Sequence, residues 1–347
     1  MTELTIALDA MGGDQGPGIV VTALERALSS FTHVHFILVG DEAVLTPLLQ
    51  RYPKVVASSR VSMQHASQVV AMDDKPSAVL RAKPDSSMRG VLELVHNGTA
   101  QGCVSAGNTG ALMAMSYLTL KTLPGVLRPA LVASLPQQDG GQSLLLDLGA
   151  NPTCDAETLC QFAVMGSVMA QQVNKQAQPR VALLNMGRED LKGHDVVKHA
   201  AQLLKASTHV NYIGFVEGND LFSSTADVIV CDGFTGNIAL KSCEGLAELL
   251  YDNLRKSFSG HFFTKLVAKL LFRRHRKSWQ WLNPDQYNGA SLLGLRGVVM
   301  KSHGNASANA YFSAISHAID EAAADLPSLI HDRIEDALLE RVTDQRD

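Results

Sequence analysis

Charged and aromatic side chains are scarce in this chain of 347 residues, at 18% and 5%, against 46% hydrophobic residues. That much apolar material can fill a large core, and it excludes an intrinsically disordered chain. Neither sign of charge dominates: Lys and Arg total 30, Asp and Glu 34, and the net charge is −4. Bulk charge therefore makes no case for a nucleic-acid binder. Long apolar runs are missing too. The richest stretch, Phe162 to Ala170, is interrupted by Gly166 and Ser167, short of the roughly 18 to 20 apolar residues a membrane helix needs. The opening Met-Thr-Glu-Leu-Thr-Ile-Ala-Leu-Asp has no basic region followed by an apolar one, so no signal peptide is expected. Five cysteines (Cys103, Cys154, Cys160, Cys231, Cys243) are few, odd in number and mostly set in apolar runs. They read as reduced thiols of a cytoplasmic protein, not as a disulfide framework. The sequence has no CxxC, no HExxH and no His-rich tract, and His33-x-His35 lies in an apolar strand-like run. No metal site is expected.

What is present is an alternation of short apolar runs with helical patterns. Strands are expected at Thr5–Asp9, Val34–Val39, Gly102–Ser105, Leu131–Leu135, Ser143–Leu148, Val181–Asn185, Tyr212–Val216, Asp227–Cys231 and Val298–Lys301. They are rich in Val, Ile and Leu without clean polar alternation, as in strands covered on both faces of a mainly parallel sheet. Helices are expected at Pro17–Leu28, Thr109–Thr122, Asp155–Val173, His194–Ala206 and Asn237–Lys256. The alternation predicts a three-layer α/β/α sandwich with a mainly parallel sheet, built as one domain over residues 1–347. From Asp320 onward nine acidic and three basic side chains predict a solvated helical end.

Glycine is concentrated after the strands. Ile6-Ala7-Leu8 is followed by Asp9-Ala10-Met11-Gly12-Gly13-Asp14, and Val104 by Ser105-Ala106-Gly107-Asn108-Thr109-Gly110. Leu146 is followed by Asp147-Leu148-Gly149-Ala150-Asn151, Val230 by Cys231-Asp232-Gly233-Phe234-Thr235-Gly236-Asn237, and Met300 by Lys301-Ser302-His303-Gly304-Asn305-Ala306. Ligands bind at the carboxyl ends of strands in open α/β sheets. Glycine lets backbone approach an anion, and a helix N-terminus supplies free N–H groups. None of the loops is GxGxxG or GxxxxGK[ST], so neither a dinucleotide fingerprint nor a P-loop is supported. One such loop is explained by tight turns and caps. Five on one sheet edge, as the alternation predicts, suggest a site for a small anion and an extended substrate.

These loops carry a resemblance. Leu8–Asp14, Ser105–Ala111, Asp147–Asn151, Leu184–Gly187 with Lys192-Gly193, Asp232–Asn237, Gly289–Gly297 and Ser302–Ala306 resemble, in order, the signatures of the phosphate acyltransferase (PlsX) family. The match runs from about residue 5 to 320. It departs at His194, where the family pattern has Asn after Lys-Gly. The resemblance implies an enzyme of phospholipid synthesis that moves a fatty acyl group from acyl carrier protein to inorganic phosphate, giving acyl phosphate and free carrier protein. It implies a fold related to isocitrate and isopropylmalate dehydrogenases and to phosphotransacetylases. It also implies a homodimer whose product passes to a membrane glycerol-3-phosphate acyltransferase.

The chemistry suits such residues. Phosphate is a dianionic nucleophile near neutral pH, and a thiolate, whose acid has a pKa of about 8.5, is a fair leaving group. The reaction needs no metal, no cofactor and no strong base. It needs phosphate held in line with the thioester carbonyl, and donors where charge develops on the carbonyl oxygen. Within the resemblance Lys192 is the expected catalytic cation and Asn237 the expected oxyanion or phosphate donor. The plain alternatives are a solvated lysine before a helix and an N-cap residue. Asp9, Gly12, Gly13, Asp14, Ser105, Asn108, Thr109, Gly110, Asp147, Asn151, Asp232, Thr235, His303 and Asn305 are the expected phosphate- and substrate-binding residues. Cys103 and Cys231 end apolar strands with no His or Lys beside them, so they read as core thiols rather than acyl carriers.

One segment breaks the charge balance. Residues 252 to 281 hold eight basic side chains against Asp252 alone, a local charge of +7 that leaves −11 to the rest. Phe262, Phe263, Leu266, Val267, Leu270 and Leu271 cover about half a helix surface; Lys265, Lys269 and Arg273 accompany them, and Trp279 and Trp281 follow. Three readings stay open for this basic amphipathic excursion: contact with anionic lipid at the inner face of the cell membrane, docking of the acidic carrier protein, or an ordinary core- or dimer-facing helix. Two further functions compete with the leading one: a phosphotransacetylase-like enzyme using acyl-CoA, and a catalytically silent membrane-associated scaffold.

Overall fold

A computed structural model describes residues 4–259 and 284–344. The basic segment's Phe262, Phe263, Lys265, Leu266, Lys269, Leu270 and Arg273 lie outside the described residues, as do Trp279 and Trp281. Among the described residues eleven strands form one sheet. They are β1 (Leu4–Asp9), β2 (Val34–Gly40), β3 (Val61–His65), β4 (Gly102–Ser105), β5 (Ala130–Pro136), β6 (Gln142–Leu146), β7 (Arg180–Leu184), β8 (Asn211–Val216), β9 (Val228–Val230), β10 (Ala290–Leu293) and β11 (Val298–Lys301). The helices are α1 (Pro17–Ser30), α2 (Glu42–Leu49), α3 (Pro53–Val56), α4 (Pro76–Ala82), α5 (Ser87–His96), α6 (Thr109–Leu120), α7 (Ala156–Gln172), α8 (Asp195–Ala206), α9 (Gly233–Ser259), α10 (Ala308–Ala323) and α11 (Leu326–Asp344).

The strand order is β3-β2-β1-β4-β11-β10-β5-β6-β9-β7-β8. The first five are mutually parallel, and so are the last four. Between them β10 is antiparallel to β11 and to β5, and β5 is antiparallel to β6. Three reversals make the two parallel blocks point opposite ways. This corrects the expectation of five loops on one edge. The loops after β1, β4 and β11 stand at one edge of the sheet, and those after β6, β9 and β7 at the other.

Burial follows the two-residue period of a strand. Ile6 and Leu8 of β1 enter one core, and Ala7 another on the opposite face. One face carries a continuous core under α4, α5 and α6, with Leu240 and Cys243 of α9 packed against it. The other face carries two separate cores. Val20 and Leu24 of α1 and Tyr311 and Ile315 of α10 cover the first block; Phe162 and Met165 of α7, Leu204 of α8 and Ile330 of α11 cover the second.

All nine expected strands are present within two residues at either end. The C-terminal stretch departs from expectation. Its acidic side chains do not make it a solvated end, because α11 buries Leu326, Ile330 and Ile334, a stripe at helical spacing set beside α7. Fully burying one such side chain is worth about 2 kcal/mol, enough to outweigh the dispersed exposed charge. No helix among the described residues is long and apolar enough to cross a membrane. Nor do the described residues hold a group of His, Cys, Asp and Glu that could bind a metal ion.

Candidate active site

Each sheet edge has its own loop cluster, and each is organised by a buried aspartate. At the first edge Asp9, 1% exposed, accepts from the Ser105 hydroxyl at 2.6 Å and from the N–H groups of Met11 and Gly12 at 3.2 and 3.1 Å. Burial raises its carboxyl pKa against these bonds. The β1 and β4 loops touch so closely that a Cβ on Gly12 would lie 2.6 Å from Asp9 Oδ2 and 2.8 Å from the Gly107 nitrogen. The β11 loop closes the group: the N–H of Asp14 donates to the Gly304 carbonyl at 2.8 Å, and Gln15 Nε2 to Asn305 Oδ1 at 2.6 Å. Asn108 caps α6 through the Ala111 N–H and donates to the carbonyls of Met72 and Asp74. The His303 ring accepts from the Asn305 N–H at 3.2 Å. Gly13, at φ 91°, turns the loop. Thr109 is exposed and Gly110 half-buried at the start of α6, where helix N–H groups lack intrahelical partners.

The first cluster also holds a cation that strand reading passes over. Lys301 ends β11 and is 7% exposed. Its ammonium donates to the Ala106 carbonyl at 3.4 Å and contacts the Ser302 carbonyl. Burial pushes its pKa down to about 8, Lys241 of α9 adds to that, and Asp9 and Asp14 oppose it. Its visible signal is a lysine closing an apolar Val-Val-Met strand before a Ser-His-Gly-Asn loop.

At the second edge Asp147, fully buried, has both oxygens taken: Oδ1 by the N–H groups of Leu131 and Ala150 at 2.9 and 3.0 Å, Oδ2 by the N–H and the amide of Asn151 at 2.6 and 2.9 Å. Asn151 donates also to the Pro129 carbonyl. Asp147 and Asn151 thus shape the turn and have little capacity left for a ligand. Asp232 accepts from the Thr235 N–H at 2.8 Å and caps α9, so capping is its role and not that of Asn237. Gly236 is required: a Cβ there would run into the Asp147 carbonyl oxygen. That contact brings the α9 N-terminus onto the β6 turn and sets Asn237 beside Gly149. Thr235 and Asn237 are exposed, and the Asn237 amide has no hydrogen-bond partner among the described residues.

Lys192 belongs to this second cluster. Its loop follows β7, the neighbour of β9. The loop is tethered by Arg188 to Asp220 at 2.6 Å, by Lys205 to Asp190 at 2.9 Å and by Asn185 Nδ2 to the Lys192 carbonyl at 3.1 Å. The Lys192 side chain is exposed and in no ion pair among the described residues. His194 occupies the N-cap of α8 without capping it. Cys103 and Cys231 are buried, and burial raises both thiols, as fits core residues rather than nucleophiles. The clusters share one structural bridge. α9 starts in the second, and its Lys241 lies one turn past Asn237, within electrostatic reach of Lys301 in the first.

An α/β/α sandwich with glycine-rich loops at its strand ends and no nucleotide fingerprint sets the fold class. A phosphotransacetylase of Staphylococcus aureus superimposes with a TM-score of 0.60 over 93% of this chain and 94% of its own, at 19% identity, so the chain has that fold. The family profile described as "Fatty acid synthesis protein" matches residues 4–329. Phosphate acyltransferases of Idiomarina loihiensis and Pseudoalteromonas atlantica are 54% and 53% identical, over 99% and 98% of this chain and the full length of both relatives. The chain belongs to the phosphate acyltransferase family and is an acyltransferase.

Proposed function

We propose that this enzyme moves a fatty acyl group from acyl carrier protein to inorganic phosphate in the synthesis of phospholipids. A phosphate oxygen attacks the thioester carbonyl, the C–S bond breaks, and the carrier's thiolate leaves and takes up a proton. The reacting groups belong to the second cluster. Lys192 offsets the phosphate charge or protonates the sulfur, and Asn237 donates to phosphate or to the carbonyl oxygen as it gains charge. The observation that carries this reading is that, within a family of phosphate acyltransferases, these two side chains at neighbouring strand ends are exposed and unspent. The first cluster, with the α6 N-terminus at Thr109 and Gly110 and with Lys301, Lys241 and His303 nearby, suits the anionic end of the carrier's pantetheine arm. An arm reaching between two edges accounts for the separation of the clusters.

The same reading includes a homodimer, a peripheral place at the inner face of the cell membrane and transfer of the product to a membrane glycerol-3-phosphate acyltransferase. Phe234, Ile238, Leu246 and Leu249 leave an exposed apolar row on α9, which supports pairing of two copies. The deciding assay is phosphate-dependent release of free carrier protein, with acyl phosphate trapped by hydroxylamine. Release of CoA from acyl-CoA at a higher rate would favour the phosphotransacetylase-like alternative, and no release from either donor would favour the scaffold.

A further inference from the structure

A lysine carries its charge on a flexible four-carbon stem. Lys192 is exposed on the loop between β7 and α8, so its aim has to be set by that loop. Two ion pairs hold the loop, but they act at Arg188 and Asp190 and stand partly in solvent, where such pairs contribute little. The contacts on Lys192 itself are of another kind. Its backbone N–H donates to the Glu189 carbonyl at 3.0 Å and closes a turn. Its carbonyl accepts from Asn185 Nδ2 at 3.1 Å. Its stem lies across Gly187, which is buried. A Cβ on Gly187 would be 3.0 Å from Lys192 Cγ, 3.4 Å from Lys192 Cβ and 2.7 Å from Glu189 Oε2.

Asn185 is where this arrangement meets the sheet. It is the first residue after β7 and is half-buried, and its own N–H donates at 2.8 Å to the carbonyl of Val216, the last residue of β8. Its carboxamide lies flush on Gly193: a Cβ there would run into Asn185 Oδ1 and lie 2.8 Å from Asn185 Cγ. Gly193 also stands at φ 90°, which a residue with a side chain adopts only under strain. One side chain therefore holds the carbonyl of Lys192 and packs on the residue after it. Resting on the reading that Lys192 is the catalytic cation, we propose that Asn185 is its positioning residue. It ties the Lys192 backbone to the rigid end of β7, and the open surface of Gly187 then sets where the stem runs. A misplacement of about 1 Å can cost on the order of a hundredfold in rate, so a residue that acts only through Lys192 can still govern turnover.

The test is a double-mutant cycle in the full-length protein, read as acyl phosphate trapped by hydroxylamine. Asn185→Ala is expected to lower acyl phosphate formation about thirtyfold while the circular dichroism spectrum stays that of the parent. In the Lys192→Ala background the same substitution is expected to change the rate by less than about twofold, because the group it aims is gone. A merely structural role would lower both backgrounds alike. Should Asn185→Ala fail to fold, Asn185→Asp, which keeps the shape and loses the N–H donor, is read in the same two backgrounds. Turnover of the Asn185 variant within about threefold of the parent, or equal losses in the two backgrounds, would overturn the positioning role and leave the reading of Lys192 standing. Near-normal turnover in Lys192→Ala would overturn that reading, and the role of Asn185 with it.

Discussion

A buried aspartate organises the loops at each end of the sheet, yet the two ends leave different groups free. Around Asp9 the first cluster closes on itself: Ser105, Asn108, His303 and Asn305 all bond within the chain, and its cation Lys301 is buried. Around Asp147 the second cluster builds an equally spent scaffold but leaves Lys192 and Asn237 in solvent. The closed end shows how such loops are made rigid. The open end shows what remains once they are rigid, which is a pair of solvated side chains with no partner among the described residues. Preorganised, unspent donors are what stabilise charge in a transition state.

The comparison breaks most sharply at Lys192. Lys192→Ala is expected to lower acyl phosphate formation about a thousandfold while the circular dichroism spectrum and the unfolding midpoint stay those of the parent. Near-normal turnover in the folded variant would move the chemistry out of the open cluster. Gly236→Ala strikes the scaffold instead. With no room for a Cβ against the Asp147 carbonyl oxygen, it is expected to cost about 3 kcal/mol in urea unfolding. Gly245→Ala on the same helix, where a Cβ meets open space, should be neutral or slightly stabilising.

The closed cluster has a pH signature of its own. Lys301 titrates at about 8 when folded, below its ordinary 10.5. Between those values the unfolded chain binds the extra proton, so stability rises with pH across that window, by about 3 kcal/mol for this group. Below pH 8 the burial cost is present in full. Asp9, Asp14 and Lys241 are the charges that face it. The buried thiols of Cys103 and Cys231 and the Tyr311 phenol, raised by burial, pull the other way above pH 9, so the signature is a difference: in urea unfolding from pH 7.5 to 10.5 the parent and Asn237→Ala should gain about 3 kcal/mol relative to Lys301→Met. A Lys301→Met profile parallel to the parent's would show that Lys301 does not titrate there.

Much of this was legible beforehand, and the failures have physical causes. Strands such as Val34–Gly40 announce themselves through apolar runs. Two went unread: β3, whose Val-Ser-Met-Gln-His has little burial on a sheet edge, and β10, with four residues only. Missing β10 hid the reversals, since β10 is antiparallel to both of its neighbours, and with them the division of one supposed edge into two. The loop motifs were legible because glycine and aspartate sit where turns demand them. Lys301 was not, because its meaning depends on Ala106, 195 residues away. The expected start of α9 at Asn237 fell four residues late. Gly233 and Gly236 read as loop formers, yet they are helical and are glycine because Asp147 and its turn press against them.

The smallest expected effect concerns the N-cap of α8. His194 stands at the N-cap of α8 with no side-chain bond to the helix, whereas Asn is among the best residues there because its oxygen accepts from a first-turn N–H. His194→Asn is expected to stabilise the fold by about 1 kcal/mol, roughly 2 °C in the unfolding midpoint. The substitution lies two residues from Lys192, so it also tests how firmly the open loop must be held. Increased stability with unchanged turnover would mean that the tethers from Arg188, Lys205 and Asn185 already position Lys192. Faster turnover would mean that they leave slack which the cap removes. An unchanged midpoint would show that the His194 ring already does at the N-cap what an asparagine would.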